Sequence, residues 1–82
     1  MVMYEAGMLA RSKAGHDKAQ MYIIKEVDDT YVYLVDGRIR TLGHPKKKKK
    51  KHVQIVHGIY NMKELDDAGI RKLIKDWMKE DK

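Results

Sequence analysis

Residues 31–56 read YVYLVDGRIRTLGHPKKKKKKHVQIV, and how this stretch divides into strands and turns decides the fold. It opens on two runs of strand composition, YVYLV (31–35) and RIRTL (38–42), with Asp36-Gly37 between them. Asp-Gly in that position suits a two-residue hairpin, because both turn positions take positive φ. Alternation along RIRTL puts Ile39 on one face and Arg38 with Arg40 on the other. Pro45 then breaks the ladder: it lacks an N–H and disfavours helix for His44. The lysines that follow have no apolar period of either kind. They are expected as a solvated loop tethered by strand four (38–42) and by strand five, HVQIV (52–56).

Upstream, MLARSK (8–13) and MYIIKEV (21–27) also have strand length and strand composition. Asp28-Asp29-Thr30 makes a turn between MYIIKEV and YVYLV. Both of those runs are partly apolar on each face, so their inward residues are not assignable from the pattern. After about residue 62 the period changes. Ile70, Leu73, Ile74, Trp77 and Met78 fall on one helical stripe, and Asp66 or Asp67 can cap its start. The polar side of this segment is mixed in sign, with six cations and six anions over residues 61–82. It therefore reads as a helix that packs on the strands, not as one lying on a membrane. The expected fold is mainly β: a small five-stranded barrel over residues 1–60, closed by a C-terminal amphipathic helix over 61–82, together one domain.

Eighty-two residues can build only a thin core. The absence of cysteine excludes a disulfide framework, a thiolate nucleophile and a thiolate metal site. The first ten residues lack a basic leader region, and no apolar run approaches the ~20 residues of a bilayer span. A soluble, cytoplasmic monomer is expected.

The net charge of +6 is concentrated. Residues 36–52 hold eight cations (Arg38, Arg40, Lys46, Lys47, Lys48, Lys49, Lys50 and Lys51) against Asp36 alone, so the rest of the chain is near neutral. A field this local implies a polyanionic partner. The lysines read as a phosphate-binding loop in preference to a merely solubilising one, because Arg38 and Arg40 lie just upstream. Each lysine that neutralises a phosphate releases counterion, so affinity should fall with salt. An ammonium is a point charge and does not read base edges, so shape must supply any discrimination.

Over residues 7–56 the chain resembles a known family. GMLARSKAGHDKAQMYIIKEV resembles the KOW motif, with Gly15 at the motif's loop glycine. VYLVDGRIRTLGHPKKKKKKHVQIV resembles the continuation found in short bacterial KOW-domain RNA-binding proteins, which are similar to large-subunit ribosomal proteins of archaea and eukaryotes. The shared pattern is a DG hairpin, an R-x-L strand end, then proline, lysines and KH. Ala19 departs from it where relatives carry glycine. The resemblance implies an SH3-like barrel, RNA binding and a ribosomal RNA partner. It also implies contact residues in the first loop: Ser12, Lys13, Gly15, His16, Asp17 and Lys18.

Other chemistry is weaker. His16 and Asp17 are adjacent, but no third group completes an acid–base site. His16, His44, His52 and His57 lack the spacing of a zinc site. Tyr22 and two further tyrosines are expected in the core, since the chain has no phenylalanine. No phosphate-cradling glycine motif and no catalytic triad order is present. The sequence therefore predicts a non-enzymatic binding protein without cofactor or metal. The rival is a protein-interaction module docking an acidic partner.

Overall fold

The computed structural model describes residues 3–13 and 20–80. Five antiparallel strands form one curled half-barrel sheet: β1 (Met8–Ser12), β2 (Met21–Val27), β3 (Tyr31–Val35), β4 (Lys46–Lys49) and β5 (Val53–Ile59). Helix α1 (Asp67–Glu80) follows. The sheet order is β4-β3-β2-β1-β5, which leaves β4 and β5 at the edges. A 3₁₀ turn, Lys50–His52, joins them. The architecture is that of a small SH3-like barrel with a C-terminal helix, as the sequence predicts.

Two expectations within it are corrected. RIRTL is not a strand, and the lysine run is not a loop: Lys46–Lys49 is itself the fourth strand. It pairs with β3 in the register Leu34↔Lys46 to Tyr31↔Lys49. Lysine has little strand preference, but it is well suited to an edge, where charge deters pairing with other chains. Pro45 immediately precedes the strand, where its missing N–H disturbs no ladder. Nor is Asp36-Gly37 a two-residue hairpin. Only Gly37 has positive φ, and Asp36 acts through its carboxylate. Asp36 Oδ1 accepts the N–H groups of Arg38 (2.8 Å) and Arg40 (3.0 Å). The N–H groups of Asp36 and Gly37 both donate to the Arg40 carbonyl. A turn closed on itself in this way has consumed the donors that a strand at 38–42 would need.

The sheet is buried on both faces, which is why its inward residues were not legible. Ala10, Tyr22, Ile24, Val32, Leu34 and Val53 form a cluster inside the curl, with Tyr4 and Ile55 against it. Leu9, Met21, Ile23 and Val35 point the other way and meet Ile70 and Ile74 of α1. Four consecutive residues of β2, Met21 to Ile24, are therefore buried. Tyr22, Tyr4 and Tyr60 supply core aromatic surface. Asp66 is the helix cap, its Oδ1 accepting the Gly69 N–H at 2.7 Å. Of the helical stripe, Ile70 and Ile74 are buried and Leu73 and Trp77 partly so, while Met78 is 46% exposed and leaves the core. Among the described residues no helix is long and apolar enough to cross a membrane.

The β2–β3 turn carries a pH dependence. Asp28 Oδ1 accepts the N–H groups of Tyr31 and Thr30, and the Tyr33 hydroxyl donates to Oδ2. The Tyr31 and Thr30 bonds, foremost among the causes, hold the carboxyl below its usual range. A depressed carboxylate stabilises the fold above its unfolded pKa and loses that contribution as pH falls through the folded one. Asp28→Ala is expected to lower the thermal midpoint near neutrality. The gap to the parent should close as pH drops below about 4, a window set by the ordinary aspartate pKa. Parallel melts across that range check it.

Candidate nucleic-acid interface

Residues directly opposite in an antiparallel pair share a face. Lys46 and Lys48 face Leu34 and Val32, so they point inward and are half-buried. Lys47 and Lys49 share the outer face with Tyr33 and Tyr31 and are exposed. The strand thus sorts the run by parity. A lysine at such a position can cover apolar surface with its methylene stem while its ammonium stays solvated. The Lys46 Nζ lies 5.9 Å from the Tyr22 ring centroid. Burial, and then the charge of Lys48, push the Lys46 ammonium below its ordinary pKa. A phosphate placed there would relieve the charged form. On the outer face Lys47 Nζ sits 4.2 Å from the centre of the Tyr31 ring. Same-face lysines along a strand are about 7 Å apart, close to the spacing of successive phosphates along a nucleic-acid strand.

The run continues at both ends. Lys50 anchors the 3₁₀ turn: its N–H donates to the Thr30 carbonyl and its Nζ to the Asp29 carbonyl at 3.1 Å. Lys50 is therefore partly structural. Lys51 and His52 are exposed. The Lys13 N–H donates to the His52 carbonyl at 2.8 Å, which brings exposed Lys13 to this end of the interface. At the other end the turn of residues 36–40 precedes Lys46. Arg38 and Arg40 are not paired on a strand face as expected. Arg38 is exposed beside α1, and Arg40 lies within electrostatic range of the Tyr22 hydroxyl. Ile39, expected on one face of a strand, is 83% exposed between them.

Ser12 is 2% exposed within β1, opposite Val53, so it leaves the set of contact residues. Gly15, His16, Asp17 and Lys18 lie outside the described residues.

The sequence reading missed the cations of α1. Arg71, Lys72 and Lys75 line a groove beside Arg38, and with Lys79 they span about 100° of the helix at ~100° per residue. Counting charges over residues 61–82 hid this sorting. Plotting them by angle would have shown it.

No family model matches this chain, and no curated protein matches it.

Proposed function

We propose that this protein is a non-enzymatic RNA-binding module that acts on structured RNA, with ribosomal RNA and a translation-associated role as the specific reading. The observation that carries it is β4, an edge strand made wholly of lysine and presented by a packed sheet. A strand holds its ammonium groups at regular intervals, so less side-chain and backbone freedom is lost on binding than from a floppy loop. Tyr31 and Tyr33 beside Lys47 and Lys49 add partly exposed aromatic surface to the same face, as a base or sugar contact would use. The resemblance of residues 7–56 to KOW-domain proteins supports the same partner.

The test is a salt titration of binding to a structured ribosomal RNA fragment. Four phosphate contacts give a log–log slope of about −3 to −4. An association constant indifferent to potassium chloride would overturn the reading. An acidic protein partner is told apart by nuclease treatment of a lysate pull-down, which must remove the captured material if the partner is RNA.

A further inference from the structure

A groove of about 790 Å³ runs between α1 and the turn of residues 36–40. Arg38 lines one side, and Arg71, Lys72 and Lys75 line the helical side. Among the described residues Asp36 is the one carboxylate in its lining, and it already accepts the N–H groups of Arg38 and Arg40. Four cations thus face a single anion committed to backbone donors. Ile74 and Met78 give the groove an apolar wall. The walls are held together: the Arg71 guanidinium donates to the Gly37 carbonyl at 2.6 Å, and Asp67 Oδ1 accepts the Leu42 N–H at 2.8 Å.

The turn of residues 36–40 lines the groove through Asp36 and Arg38 and precedes the lysine strand in the chain. Lys46 stands over the Tyr22 ring, and the Tyr22 hydroxyl is within electrostatic range of both Asp36 and Arg40. From there the turn leads to Arg38. Cations thus occur on β4, in the turn and along the groove side of the helix.

We infer that this groove is a second phosphate-binding site, and that the RNA strand held along β4 continues past Lys46 and Arg40 into it. The inference rests on the RNA-binding reading above and extends it to α1, which becomes part of the interface as well as a cover for the core. The exposed lysines Lys72 and Lys75 carry the phosphate contacts. Met78, 46% exposed, offers an apolar surface to a sugar or an unstacked base.

The test is Lys72→Gln/Lys75→Gln, measured by anisotropy with a fluorescein-labelled RNA hairpin bearing a single-stranded tail. Both side chains are exposed, so helix content by far-UV circular dichroism should match the parent. Losing two contacts makes the salt slope shallower by about 1.4–1.8 and weakens binding roughly ten- to thirtyfold at ~150 mM salt. Lys63→Gln is the control. Lys63 is exposed and outside the groove, so its loss should leave the slope unchanged. A double variant with the parent's slope overturns the inference, and so does a Lys63 variant that loses as much per charge. If the lysine strand is needed while Lys72 and Lys75 are not, the β4 reading stands and the groove is excluded. If neither set matters, both fall.

Discussion

Replacing Lys46, Lys47, Lys48, Lys49 and Lys51 by glutamine should weaken RNA binding by two to three orders of magnitude at ~150 mM salt and leave the fold in place. The loss follows from counterion release, since four lost contacts each contribute roughly a factor of four to five at that salt. Glutamine keeps the backbone donors and acceptors that pair β4 with β3. It also removes repulsion between like charges, of which Lys46 and Lys48 are the clearest pair. Lys50 is left intact because its ammonium donates to the Asp29 carbonyl and ties the 3₁₀ turn to the β2–β3 turn. Five changes worth under about 0.5 kcal/mol each sum to under about 2.5 kcal/mol, so the thermal midpoint should fall by less than roughly 20 °C and the unfolding transition should stay cooperative. Binding that survives at parental strength in a folded variant would remove β4 from the interface.

Gly37→Ala should be the most damaging single substitution to stability among those considered. Gly37 has φ +78°, a left-handed conformation that a side chain strains. An added Cβ would also collide with the Asp67 carbonyl oxygen, and it would come within 3.0 Å of the Arg71 backbone nitrogen and Cγ. All three atoms belong to the first turns of α1. Relief requires the turn and the helix to separate, which breaks the Arg71–Gly37 and Leu42–Asp67 hydrogen bonds. Strain and collision together cost about 2–4 kcal/mol. In a domain of this size that lowers the melting midpoint by roughly 10–30 °C. Gly43→Ala is the control, because a Cβ there meets nothing within 4 Å. Equal midpoints for the two variants would show that the helix does not depend on this close approach.

Asp36-Gly37 shows how a strong local signal can be right about a turn and wrong about its use. Asp-Gly does mark a reversal, and Gly37 does take positive φ. But the Asp36 carboxylate captures two backbone donors, and Gly37 seats the turn against α1, so the next strand begins ten residues later. Nothing in residues 31–42 announces a helix thirty residues downstream. The candidate site was legible to a similar depth. The concentration of cations and their ordering along the chain were visible. Their division into an inward and an outward pair was not, because lysine carries no hydrophobic contrast from one position to the next.

The covalent order alone determined the β-rich first part, the helix stripe that includes Ile70 and Ile74, with Asp66 or Asp67 at its start, and the crowding of charge before residue 53. These depend on interactions within a few residues, through turn chemistry, side-chain period and charge spacing. Tertiary structure alone decided that the lysines form a strand, that β2 is buried on both faces, and that α1 and the 36–40 turn enclose a basic groove. The physical reason is that backbone groups at a sheet edge pair with whatever chain is delivered to them, whatever its side chains. Here Val32 and Leu34 place β3 within the core with one edge open, and the chain returning from the Gly37–Leu42 turn lays its lysines along that edge.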